Sequence, residues 1–310
     1  MVNCLVLGGN GFLGSHLVDD LVGKGFNVRA FDRFNNQKIR FESKKNVEII
    51  NGEFLNSSDL EEAVKDMDYV FHFVSTTNPL SSTFNPMVEI DTNIRSSVEL
   101  FEKCVEAKVK KVIYSSSGGS VYGESNSHRP NENSVTKPIS PYAIGKLTIE
   151  KYLNYFYHQY GMESISYRIA NPYGPRQPLL SKQGVIPIFL NCLLNKEPIK
   201  VFGDGSMIRD YIFVKDAITM ITNSFENGNY SLYNLGSGLG NSISEVIEAI
   251  EEVTRQKFEI EKTEAPKTFV HTNTLDTSRY VNEFPGLSLT SLKEGIAQTW
   301  ANLKEASNEI

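Results

Sequence analysis

The chain has 310 residues, 40% of them hydrophobic and 22% charged, with a formal net charge of −6. That length buries enough core for one large domain or two unequal ones, and the acidic balance argues against a nonspecific grip on nucleic acid. No apolar run is long enough to span a bilayer. Met1-Val2-Asn3 leads into a strand-like run with neither a basic start nor a small-residue cleavage site, so a cytoplasmic place is expected.

In chain order, residues 3–8 form a short apolar run of the kind a strand covered on both faces shows. Phe12, Leu13, Leu17 and Leu21 then recur at helical spacing until Gly23 and Gly25 stop the pattern. Strands are expected over 27–32, 47–50, 69–75, 111–117 and 164–170, and helices after Ser57-Ser58, over 86–107 and over 141–160. In the last of these, Ile149, Tyr152, Leu153, Phe156 and Tyr160 make one apolar face, and Tyr155 and Tyr157 add aromatic area elsewhere. Strands alternating with helices indicate an α/β fold, a doubly wound parallel sheet of the Rossmann type. Past Asn171 the rhythm breaks: Pro172, Gly174, Pro175, Pro178, Gly184 and Pro187 crowd the sequence. Short strands and helices then mix until an amphipathic helix over 292–303. We expect a first domain over 1–171, to which a later segment near 208–236 returns, and a smaller C-terminal α/β lobe over most of 172–310.

Cys4, Cys104 and Cys192 cannot all pair, show no CxxC spacing and sit in apolar settings, which reads as reduced core packing. His16, His72, His128, His158 and His271 are scattered without the short spacings of a zinc site, so no metal is expected. The densest positive stretch, Lys108, Lys110 and Lys111, reads as a solvated helix end.

Gly8-Gly9-Asn10-Gly11-Phe12-Leu13-Gly14 puts glycines at i, i+3 and i+6, directly after a strand and at the start of a helix. The first permits a tight turn, the middle one lets backbone N–H groups approach a pyrophosphate, and the last allows close helix–strand packing. Asp32 ends the second strand, where a carboxylate would accept hydrogen bonds from the adenosine ribose and repel a 2′-phosphate. NAD is therefore expected over NADP, even with Arg33 next in the chain. In Tyr142-Ala143-Ile144-Gly145-Lys146, i and i+4 share one helix face, so an ammonium can sit near a phenol and lower its pKa. That would make Tyr142 a general base for a hydroxyl proton. The pair follows Ser115-Ser116-Ser117 by one strand–loop–helix step, at the end of the sheet where cofactors bind.

Together with His72-Phe73-Val74-Ser75, Asn93, Ser116-Ser117-Gly118-Gly119-Ser120-Val121-Tyr122-Gly123, Arg168-Ile169-Ala170-Asn171-Pro172-Tyr173-Gly174-Pro175-Arg176, Val201-Phe202-Gly203-Asp204-Gly205, the run Arg209 to Asp216 and Tyr233-Asn234-Leu235-Gly236, these motifs resemble the extended short-chain dehydrogenase/reductases. Within them the chain is similar to the UDP-glucose and UDP-N-acetylglucosamine 4-epimerases of the NAD-dependent epimerase/dehydratase family. The resemblance implies NAD held by Gly8, Gly11, Phe12, Leu13, Gly14, Asp32, Arg33, Glu53, Phe54, Phe73, Val74, Ser75, Asn93, Ser116, Tyr142, Lys146, Ala170 and Pro172. It implies a UDP-sugar met by Thr77, Ser117, Ser120, Asn171, Gly184, Val185, Val201, Arg209, Lys267 and Asn273, with Arg209 on the diphosphate. It also implies a homodimer, no nucleic acid or membrane partner, and a supply of nucleotide sugars for polysaccharide biosynthesis. Related dehydratases carry an Asp-Glu pair where this chain has Gly119-Ser120, which argues against water loss. One departure is plain: the catalytic Ser or Thr of the family falls on Gly118, leaving Ser117 or Ser120 to replace it. Another is Lys267, a point charge where relatives often have an arginine fork. Counting back from Asp276, the position that gates the sugar C2 substituent is Asn273. A nucleotide-sugar reductase, or a cofactor-sensing protein without catalysis, remains as an alternative.

Overall fold

The computed structural model describes residues 2–35, 38–124, 129–179, 184–264 and 270–308. The chain runs β1 (Asn3–Leu7), α1 (Phe12–Gly23), β2 (Asn27–Asp32), β3 (Val47–Asn51), α2 (Ser57–Val64), β4 (Tyr69–His72), α3 (Pro79–Phe84), α4 (Pro86–Val88), α5 (Arg95–Glu106) and β5 (Lys111–Ser117). It continues through α6 (Pro141–Tyr160), β6 (Glu163–Ile169), β7 (Asn171–Tyr173), α7 (Val185–Asn195), β8 (Ile199–Phe202), β9 (Ile208–Phe213), α8 (Val214–Ser224), β10 (Leu232–Leu235) and β11 (Gly240–Ser242). Then follow α9 (Ile243–Thr254), β12 (Ile260–Thr263), β13 (Thr272–Asn273), α10 (Ser278–Glu283) and α11 (Leu292–Asn308).

Two compact units result, one of residues 1–121, 138–168 and 218–233, the other of 122–137, 169–217 and 234–310. The first unit takes in 218–233, part of the 208–236 segment, and extends to 168 and not to 171. The segment 122–137 leaves it for the second unit. A seven-stranded sheet in the order β3-β2-β1-β4-β5-β6-β10 is the Rossmann-type sheet expected, with β1 parallel to β2 and β4, β2 to β3 and β4 to β5. The strand order reverses between β1 and β4, the switch point at which open α/β sheets bind ligands.

Leu5 and Leu7 of β1, Val70 of β4 and Val112 and Tyr114 of β5 meet Leu60 of α2, Leu100 and Phe101 of α5, and Ile149, Leu153 and Phe156 of α6 in one core. This divides the α6 face read from the sequence. Ile149, Leu153 and Phe156 bury against the sheet, and Tyr152, Tyr155, Tyr157 and Tyr160 remain exposed. The buried three recur at i, i+4 and i+7 and make the stripe that the sheet covers. The second unit has its own core, in which Ile186, Phe189 and Leu190 of α7 pack with Val246 and Ile250 of α9 and Ile296 and Trp300 of α11.

Two elements differ from expectation. The helix predicted over 86–107 is α4, a π-helical stretch Glu89–Ile94, and α5 in succession. A π turn fits one extra residue into the ladder, and such turns recur at functional sites. Helix α3 went unpredicted because its sequence, PLSSTF, lacks an apolar stripe; a capping box between Asn78 and Ser81 and Pro79 at its start form it instead. Cys4 and Cys104 are buried and unpaired, and burial pushes both thiols up. No helix among the described residues is long and apolar enough to cross a membrane, and no cluster of His, Cys, Asp and Glu among them could hold a metal.

The tightest approach in the sheet's first crossover is at Gly14, where a Cβ would run into the Gly8 carbonyl oxygen. Backbone cannot yield there as a flexible side chain would. Gly14→Ala should lower the unfolding free energy by about 1–3 kcal/mol, read by urea denaturation; unchanged stability would show that α1 can lift off β1 without cost.

Candidate active site

The first crossover builds an anion cradle from backbone alone. Gly8 adopts φ +82° and turns the chain at the end of β1, and its N–H and that of Gly9 donate to Phe31 O at 2.9 and 3.1 Å. Gly8 also needs its missing side chain, because a Cβ would stand 3.0 Å from the backbone of Phe73 and Val74 beyond β4. Gly11 caps α1 with no side-chain hydrogen bond, and no acidic residue sits in the first turn, so Phe12 and Leu13 open a helix end free of competing negative charge. This arrangement fits a pyrophosphate. At the end of β2, the Asp32 carboxylate accepts from Asn10 N at 2.9 Å and from Arg33 N at 2.8 Å, which ties the strand end to the glycine turn. Arg33 is largely exposed and lies 4.0 Å from Glu53. Phe54 does not face outward: it packs in the core against His72.

Past β4, the strand expected up to 75 ends at His72, and the next residues bend to meet Asn93. Asn93 is buried; its Oδ1 accepts from Thr76 N at 2.9 Å and its Nδ2 donates to Thr77 Oγ1 at 3.0 Å. Ser75 Oγ donates to Thr77 O at 3.0 Å. Phe73 and Val74 are half-buried beside Gly8. His72 lies wholly in the core, its Nε2 2.7 Å from Ser97 Oγ, and burial together with the Lys146 charge pulls its pKa down to about 3, so the ring is neutral.

The centre of the unit is where α6 meets the end of β5. Ser140 caps α6 by accepting from Ala143 N at 3.2 Å, and Pro141 opens it. Tyr142, Lys146 and Glu150 follow at i, i+4 and i+8 on one face. Lys146 is buried and donates to Ser115 O at 2.8 Å, with its Nζ 5.0 Å from the Tyr114 ring centre and 5.6 Å from that of Tyr142. Ser117 is hydrogen-bonded to the Tyr142 hydroxyl, and Ser120 Oγ donates to Ser117 Oγ at 2.8 Å. The backbone N–H groups of Ser120 and Val121 fold back onto Ser117 O, so the Gly118-Gly119 pair makes the turn that brings both serines together. Ser116 Oγ donates to Glu150, which is forked by Arg168 at 3.0 and 2.6 Å.

The electrostatics correct a simple expectation. A nearby ammonium alone would lower the Tyr142 pKa, yet burial pushes it up to about 12, Glu89 pushes the same way, and only the Ser117 hydrogen bond opposes them. Burial likewise lowers Lys146 to about 8, against the opposing pull of Glu89 and Glu150. Desolvation outweighs the pair attraction here because both groups are enclosed. Sequence reading missed Glu89, Glu150 and Ser82, whose hydroxyl accepts from Tyr142 N at 3.2 Å. Only Glu150 left a trace, as the next step of the i, i+4 ladder.

In the second unit, the candidate substrate residues gather round β9. Asn171 of β7 donates to Asp210 O at 2.9 Å. Asn273 of β13 stands opposite Arg209 in register and is 3% exposed, a buried position and not a surface loop. Arg209 donates to the carbonyls of Ile208, His271 and Val270 at 2.8, 3.2 and 2.6 Å, and burial lowers its pKa. Asp210, fully buried, accepts from Ser237 N, Ser237 Oγ, Gly238 N and Leu275 N, and so pins β9 to the loops beside it. Gly184 caps α7 at φ +88°, followed by half-buried Val185. Pro172 is half-buried in β7, and Ala170, buried, donates its N–H to Leu235 O at 2.8 Å. Val201 is buried and packs in the core of the second unit. Lys267 lies outside the described residues.

Known proteins match this arrangement. The chain is 32% identical to UDP-glucose 4-epimerase of Mycolicibacterium smegmatis over 302 residues, covering 95% of this chain and 96% of that one. It is 31% identical to dTDP-4-dehydro-6-deoxyglucose reductase of Escherichia coli over 299 residues, covering 94% of each. The crystal structure of UDP-glucose 4-epimerase from Thermotoga maritima with UDP-glucose superposes with a TM-score of 0.92 at 32% identity, covering 99% of this chain and all of that one. The model of the NAD dependent epimerase/dehydratase family matches residues 4–236. The chain therefore belongs to the NAD dependent epimerase/dehydratase family, and NAD is its cofactor.

Proposed function

We propose that the chain is a 4-epimerase of a UDP-hexose. The observation that carries this reading is the set formed by Tyr142, the Ser117 hydroxyl bonded to it and Lys146 one turn along α6, all at the carboxyl end of β5. NAD, held by the glycine turn after β1 and by Asp32 at the end of β2, would supply a hydride acceptor and donor for the sugar C4. Tyr142 would take the C4 hydroxyl proton as that C–O bond becomes a carbonyl, and would give the proton back when the alcohol forms again with the opposite configuration. Ser117 polarises that oxygen, and Ser120, which donates to Ser117, holds it in place. Because the sugar leaves at the oxidation level at which it entered, NAD would be neither consumed nor released.

In the other unit, Arg209 and Asn171 are proposed to meet the UDP-sugar, Arg209 giving up carbonyl partners for diphosphate oxygens. Asn273, beside Arg209 in register, is proposed to border the C2 substituent, where a side chain smaller than tyrosine leaves room for an N-acetyl group and its amide can bond it. The exposed Tyr152, Tyr155, Tyr157 and Tyr160 of α6 support a homodimer through that helix. A second reading, a nucleotide-sugar reductase, is favoured by the similarity to the Escherichia coli reductase.

The two readings part in one experiment. NMR of UDP-hexoses incubated with the enzyme and no added NAD should show interconversion of the 4-epimers, and Tyr142→Phe should slow it about 10²–10⁴-fold while bound NAD is kept. Product that forms only with stoichiometric NADH would establish the reductase. Among the hydroxyls, Ser117→Ala should lose on the order of a hundredfold in kcat and Ser120→Ala clearly less; equal or absent losses would take Ser117 out of the mechanism. For substrate choice, Asn273→Tyr should depress kcat/KM for UDP-N-acetylglucosamine and UDP-N-acetylgalactosamine by about tenfold or more relative to UDP-glucose and UDP-galactose. Parallel loss on both pairs would sink the gatekeeper role.

A further inference from the structure

Glu89 is a buried acid, 2% exposed, in the π-helical stretch Glu89–Ile94. Its Oε2 accepts from Thr77 Oγ1 and from Asn93 Nδ2, the latter at 3.0 Å. Its Oε1 lies against α6 at Gly145, where a Cβ would collide with it. Gly145 stands between Tyr142 and Lys146, and the space its missing side chain leaves is filled by the Glu89 carboxylate. An enclosed carboxylate that meets only neutral donors is costly, and its position is hard to explain by packing alone.

We propose that Glu89 is a positioning residue of the hydride-transfer site, its carboxylate fixing Thr77 and Asn93 with one oxygen and buttressing α6 at Gly145 with the other, so that a negative charge stands behind Tyr142 and Lys146. This rests on the reading of Tyr142 and Lys146 as the catalytic pair. The charge opposes the loss of the Lys146 proton that burial would otherwise cause. The other groups facing Lys146 are Tyr142 and Glu150 on its own helix, Tyr114 on β5 and neutral His72 on β4. Of these Glu150 is shared with Arg168. Helix α3 has no ionisable side chain; on α5, Arg95, Glu102 and Glu106 are exposed, Glu99 is half-buried, and Lys103 pairs with Glu61 and Glu106. Glu89 is thus the carboxylate committed to the pair.

Lys146 can be followed directly by lysine 15N NMR of the NAD-loaded enzyme, its signal assigned by its loss in Lys146→Met. In Glu89→Gln, Lys146 should deprotonate about one pH unit lower, and the alkaline limb of the turnover profile should fall with it. A folded Glu89→Gln enzyme with an unmoved Lys146 titration overturns the proposal. A moved titration beside an unmoved turnover profile upholds the placement of Glu89 and counts instead against Lys146 as part of the catalytic pair. Gly145→Ala serves if Glu89→Gln does not fold. It displaces the carboxylate without removing its charge, and it should shift Lys146 in the same direction; wild-type titration and turnover in Gly145→Ala would also overturn the proposal.

Discussion

Helix α6 is held to the carboxyl end of β5 by three residues spaced one turn apart. Tyr142 meets Ser117, Lys146 donates to Ser115 O, and Glu150 accepts from Ser116 while Arg168 forks it from β6. Ser115, Ser116 and Ser117 follow one another at the end of β5, and their partners stand at four-residue steps along one face of α6. The Glu150–Arg168 pair is nearly dry, with side chains 8% and 4% exposed. Removing one member of such a pair strands the other charge, at a cost of about 3–5 kcal/mol. That penalty locks the rotation of α6 about its axis, and the rotation decides where the Tyr142 hydroxyl and the Lys146 ammonium stand.

Enclosure of these groups has a second consequence. A phenol and an ammonium in water would attract once the phenol ionised, but burial disfavours both charged forms, so Tyr142 is pushed up and Lys146 down. The pair is therefore poised in its neutral–cationic state, and it is the Ser117 hydrogen bond that favours the phenolate. The turn at Gly118-Gly119 matters for this reason: it replaces a single hydroxyl by two serines in series, with Ser120 fixing the direction of Ser117.

The second unit solves a different problem with the same economy of backbone. Strand β9 carries Arg209 and Asp210 on opposite faces, as alternation requires. Asp210 is satisfied by three N–H groups and a hydroxyl, which anchors the loops at 237–238 and 275 around β9. Arg209, next in line, keeps its donors on the carbonyls of 270 and 271. These are neutral partners, which an anion could replace.

Much of this was present in the sequence by itself. The glycine spacing, the acid ending β2 and the Tyr142–Lys146 step rest on local periods, turn chemistry and chain order, which a sequence carries directly. The apolar runs likewise determined the α/β alternation of the first half. Only the tertiary structure decided the rest. It chose Ser117 as the hydroxyl bonded to Tyr142, because a turn had to fold Ser120 back onto it. It sent Ile149, Leu153 and Phe156 into the core and left the tyrosines of α6 outside. It put 122–137 with the second unit, since long-range packing sets a domain's membership. And it placed Glu89 against Gly145, residues 56 positions apart by their numbers, because a π turn and a missing side chain leave a space that only the assembled helices define.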